Sequence, residues 1–165
     1  MSLPPRAQLS VRSSDDGHVI AAYNPLLIVC FTRPPRAEEL ELMRSLAAEG
    51  LDGGVRGGFL YVVARKDMSG GVDPRVRAAI EDMMARNATR AGGSAVVVLT
   101  EGFGGAMVRS VLTGLVLLTS DRKMLQVFSA VDDACRWLAS HYRLDGPTLL
   151  AAYRQATAHL VLPQK

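Results

Sequence analysis

Six consecutive apolar residues, Leu26-Leu27-Ile28-Val29-Cys30-Phe31, leave few folds open to this chain. A strand with one wet face alternates apolar and polar side chains. A run without alternation reads as a strand covered on both faces, as in a parallel sheet with crossover helices. Ala95 to Thr100 repeats the pattern, and amphipathic helical stretches separate the strand-like runs. The spacing therefore predicts an α/β domain: a mixed, mostly parallel sheet of about five strands flanked by helices, with an extra helix at the C-terminus.

Residues 1–16 are polar, carry Pro4 and Pro5 and end in a Ser-Ser-Asp-Asp cluster, so they read as a loose lead-in. Strands are expected at His18–Tyr23 and Leu26–Phe31, joined by a turn at Asn24-Pro25 and ended by Pro34-Pro35. A helix over 37–48 would bury Leu40, Met43, Leu46 and Ala47, with Glu38 and Glu39 in its first turn, where the helix dipole favours acids. Phe59 to Ala64 reads as the next strand. Asp73-Pro74 opens a second helix that places Val76, Ile80, Met83 and Met84 on one face.

A third helix, over 104–119, is apolar on both sides, and Arg109 is its only charge. That predicts two layers of cover, the sheet plus either the C-terminal segment or a subunit or partner interface. Met124 to Phe128 is the last expected strand. Ser129 and Asp132 then offer a weak capping box to a helix burying Val131, Ala134, Cys135, Leu138 and Tyr142. After Asp145-Gly146-Pro147, a final helix to Leu160 carries Leu149, Leu150, Tyr153 and Ala156. The organisation expected is a lead-in over 1–16, one domain over 17–143, and a C-terminal helix over 144–165 packed on the domain or its interface.

With 165 residues, 48% apolar and 21% charged, the chain suits a single globular core. Its net charge is only +3 and the arginines are scattered among acids, so a nucleic-acid partner is not expected. Residues 1–6 lack the apolar core of a signal peptide, and the longest apolar stretch is too short to span a bilayer. Cys30 and Cys135 sit in apolar patterns as small hydrophobes rather than as a disulfide framework. The expectation is a cytoplasmic protein without stable membrane insertion.

Catalytic signals are weak. His18, His141 and His159 stand in no recognised nucleophile motif, although a Ser-His-Asp triad needs no sequence proximity. No metal-ligand spacing is present, and no metal or cofactor is expected. Gly102-Phe103-Gly104-Gly105, with Arg109 one turn on, could cradle an anion at a helix start, and the glycines of 52–58 are a lesser candidate. Ser69, two residues after Asp67 in a loop beside Arg65 and Lys66, is a candidate phosphorylation site. Ser110, Thr113, Gly114 and Leu117, on the second face of the third helix, are the candidate interaction surface.

The order of elements, together with Val127-Phe128, Asp132-Asp133-Ala134 and Trp137-Leu138, resembles the STAS superfamily (sulfate transporter and anti-sigma-factor antagonist) and within it the SpoIIAA-like branch. The resemblance covers residues 18–141. It implies a non-catalytic binding module, and in anti-sigma-antagonist members a serine in an Asp-Ser-Ser-Gly turn is phosphorylated. Here the matching stretch reads Asp67-Met68-Ser69-Gly70-Gly71, which departs from that turn and keeps only Asp67 and Ser69. The expected function is a non-enzymatic domain acting by protein contact, as a homodimer or with a signalling partner. The alternative is a carrier of a small molecule or lipid, using the third helix or the Gly102–Gly105 turn.

Overall fold

A computed structural model describes residues 8–52, 57–65, 92–100 and 125–163, with positions 74, 75, 78, 105, 106 and 110. The described strands form one six-stranded sheet in sequential order: β1 (Leu9–Asp15), β2 (His18–Tyr23), β3 (Leu26–Phe31), β4 (Gly58–Val63), β5 (Ser94–Val98) and β6 (Leu125–Phe128). β1, β2 and β3 form an antiparallel meander, and β3 to β6 run parallel. Among the described residues three helices flank the sheet: α1 (Ala37–Asp52), α2 (Val131–Tyr142) and α3 (Gly146–Ala156). The α/β class and the mixed, mostly parallel sheet are as the sequence predicts.

Alternation along each strand divides the core in two. Ile20, Leu27, Val29, Phe31, Phe59 and Tyr61 face α1 and meet Met43 and Leu46. Val19, Ala21, Ile28, Cys30, Leu60, Val62, Ala95 and Val97 face the other way, against α2 and α3. All six residues of β3 are buried, which is why its sequence shows no alternation. Each fully buried Val, Leu, Ile or Phe side chain contributes about 1.5–3 kcal/mol, so these two layers are the main stabilising term.

Boundaries differ from expectation at β1 and at the start of α2. Leu9–Asp15, read as a loose lead-in, is strand β1, the outermost strand beside β2. Its sequence hid it, because an edge strand with mostly exposed residues needs no apolar period. His18 consequently lies one strand inside the edge. At α2 the helix starts one residue later than a Ser129 cap requires: Ala130 is the N-cap and makes no side-chain cap bond, so the capping box does not form. At α3 the cap is firm, since the Asp145 carboxylate accepts from the Thr148 N–H at 2.8 Å and also from the Thr148 hydroxyl.

α3 packs against α2, β1 and β2. Among the described residues no helix is long and apolar enough to cross a membrane.

Candidate functional site

The densest polar cluster among the described residues sits where the β1–β2 hairpin, the end of β3 and the start of α1 converge. Its members are Ser13, Asp15, His18, Arg33 and Glu39. The backbone explains why they meet. β1 and β2 pair Val11 with Ala21 but Ser13 with Ile20, so a bulge at Arg12 shifts the register. Opposed residues in a sheet share a face. Val11 therefore faces α3's side with Ala21, while Ser13 and Asp15 turn to α1's side with Ile20 and His18. Re-aiming side chains in this way is what β-bulges do.

Gly17 closes the hairpin. A Cβ there would lie 2.6 Å from Arg33 Nε, so only glycine lets the arginine cross the turn. The Thr32 N–H donates to the Gly17 carbonyl at 2.9 Å and ties the turn to the end of β3.

Glu39 enters from α1. It occupies the third helical position, and its Oε2 accepts from the Arg36 N–H at 2.7 Å, the back-reaching half of a capping box. Its carboxylate is also gripped by Arg33, whose Nη2 donates to Oε1 at 2.6 Å and Nη1 to Oε2 at 3.0 Å. Such a two-pronged pair is the strong arrangement of this chemistry. Arg33 Nη2 reaches Asp15 Oδ2 at 2.8 Å, so one guanidinium bridges hairpin and helix.

His18 lies beneath, with only 5% of its side chain exposed. Its ring stacks on Phe31 at 5.7 Å between centroids. Nδ1 is 2.8 Å from Asp15 Oδ1 and 3.3 Å from Glu39 Oε1, while Nε2 is 2.8 Å from Ser13 Oγ. Two carboxylates around Nδ1 hold the proton there, and we assign Nε2 as the acceptor of the Ser13 hydroxyl. Arg33 Nη2 is 3.2 Å from Nδ1, a contact between two donors that share the same carboxylates.

Burial alone would raise the Asp15 pKa. The Gly17 N–H, Arg33 and His18 outweigh it and hold the carboxyl well below the usual range. Burial likewise opposes ionisation of Glu39, and Arg33, the Arg36 N–H and His18 again win, so its pKa is lowered. The ligand atoms of Asp15, His18 and Glu39 lie within 4.8 Å of one another, close enough for a metal ion. Arg33 already provides the cation at that position, so the residues as arranged do not fit a metal.

The sequence-derived candidates fall elsewhere. Ser110 and its neighbour one turn earlier, Ala106, are exposed, and Gly105 is buried. Thr113, Gly114, Leu117, Asp67, Ser69, Gly102, Gly104 and Arg109 lie outside the described residues. Of the motif behind the family resemblance, Phe128 and Trp137 pack ring to ring at 5.9 Å. Trp137 lies over Gly93, where a Cβ would come within 2.8 Å of its ring. Those residues serve packing.

Cys30 and Cys135 are free and buried, as expected of small hydrophobes. Burial pushes both thiols up to about 12. The Ser13–His18–Asp15–Arg33–Glu39 cluster escapes a sequence reading because Arg33 and Glu39 approach only through the fold. The nearest signal was a Ser-x-Asp-x-x-His stretch spanning a Gly17 turn. Comparison with protein-family models, curated proteins and solved structures finds no match to this chain.

Proposed function

We propose that the chain is a STAS-like regulatory domain of the cytoplasm that acts by protein contact, first by self-association. The carrying observation concerns cover for the third expected helix, whose sequence is apolar on both sides. The C-terminal helix α3 packs on α2, β1 and β2. Ala106 and Ser110, one turn apart on the side opposite the expected core stripe, are exposed. Two free, buried cysteines suit a reducing compartment. The contact face in this reading is Ser110, Thr113, Gly114 and Leu117.

Native mass spectrometry beside a denatured run tests it. A dimer at bare polypeptide mass that dissociates on Ser110→Lys with Leu117→Lys, with unchanged circular dichroism, is the expected result. A monomer at bare mass overturns self-association. A monomer with extra mass that is lost on denaturation overturns it in favour of a small-molecule or lipid carrier.

A further inference from the structure

We propose that Ser13 is an activated nucleophile, a modification site that accepts an acyl group from an activated ester or thioester. This goes beyond the contact reading and does not depend on it.

The geometry is that of a proton relay. Ser13 Oγ is 2.8 Å from His18 Nε2, and His18 Nδ1 is 2.8 Å from Asp15 Oδ1. A base must offer an unprotonated nitrogen to the hydroxyl, and the carboxylates on the Nδ1 side enforce that tautomer. Asp15 is itself fixed, by the Gly17 N–H at 2.7 Å on Oδ1 and Arg33 at 2.8 Å on Oδ2. Glu39 adds a second negative charge beside the imidazolium that forms when the proton moves. The nucleophile–base–orienter chain thus has a supporting layer that locks each member.

The bulge at Arg12 is the second, independent observation. In unbroken register Ser13 would oppose Val19 and point to the α3 side, away from the imidazole. The shift to Ile20 brings the hydroxyl onto the ring. Ser13 is half-buried on the outermost strand, between exposed Arg12 and Ser14, so a small acyl donor can reach it while the base stays shielded.

In the step, Ser13 Oγ bonds to the acyl carbon as the bond from that carbon to its alkoxide or thiolate leaving group breaks. The hydroxyl proton passes to His18 Nε2 and then to the departing group, with no net redox change. The cluster supplies a base and its orienting groups, so the expected gain is that of general-base assistance, about 10²-fold over an unassisted serine.

The test uses the full chain with p-nitrophenyl acetate and, separately, a fluorophosphonate probe, with adducts located by peptide mass spectrometry. The expected result is labelling of Ser13 about 10²-fold faster than Ser14, its exposed neighbour, in the same wild-type molecules. His18→Gln should bring Ser13 down to the level of Ser14. Equal labelling of Ser13 and Ser14 overturns the proposal, as does labelling of Ser13 that survives His18→Gln in a folded protein. The wild-type comparison needs no variant to fold, and a merely structural hydrogen bond would not separate the two serines.

Discussion

The two ends of the sheet are closed by different physics. At the end where β3 runs into α1, charge does the closing: Arg33 joins Asp15 of the hairpin to Glu39 of the helix, and His18 sits beneath them. At the opposite end, where β4 and β5 begin, shape does it. Gly58 and Gly93 approach so closely that a Cβ on Gly58 would lie 2.1 Å from the Gly93 carbonyl oxygen. The rings of Trp137, His141 and Tyr142 fill the space the glycines leave, and the Tyr142 hydroxyl donates to the Gly93 carbonyl at 2.7 Å. Ionic closure depends on solvent conditions and is directional. Steric closure is insensitive to pH and intolerant of added volume. The reactive-serine geometry lies at the ionic end, where polar side chains are held in fixed positions.

The largest expected effect breaks the ionic end. Glu39→Ala strips Arg33 of its two-pronged partner and the Arg36 N–H of its cap, and should cost about 3 kcal/mol at pH 7 in urea unfolding. The pH dependence has a definite sign. Asp15 and Glu39 have folded pKa values below their ordinary 3.8 and 4.5, so their contribution is complete above those values and is lost as pH falls below them. Wild-type stability should therefore drop from pH 5 toward pH 3, and Glu39→Ala should flatten that slope. An unchanged slope would show that the cluster does not govern acid stability.

Breaking the steric end comes next. Gly58→Ala should cost about 2 kcal/mol by forcing β4 away from β5, with the same penalty at pH 7 and pH 5. A penalty that varies with pH would contradict the division between the ends. The smallest effect sharpens the contrast from within the core between sheet and α3. The Tyr153 hydroxyl is buried beside the Cys30 thiol and the Thr157 hydroxyl but makes no hydrogen bond of good geometry among the described residues. Tyr153→Phe removes an unsatisfied group at nearly constant volume and should be neutral or stabilising by up to about 1 kcal/mol in the same assay. A clear loss of stability would reveal a partner for that hydroxyl.

What could be read from the chain follows the same line. β2 and β3 were legible to the residue, since a doubly covered strand must be apolar throughout, and Val131, Ala134, Cys135 and Leu138 gave the buried face of α2. β1 was not legible, because Leu-Ser-Val-Arg-Ser-Ser-Asp carries no buried stripe and its bulge breaks even the period of two. Glu39 read only as an acid in the first turn of a helix, and its burial depends on Arg33 arriving from β3.

The sequence by itself determined the α/β class, the doubly covered strand at the centre of the sheet and the helical faces, because these rest on hydrophobic periodicity, which is local and repeated. Only the tertiary structure decided that a serine, a histidine, an arginine and two acids share one site. Their meeting depends on a one-residue bulge, a glycine turn and a helix entry angle, and none of these leaves a periodic trace in the chain.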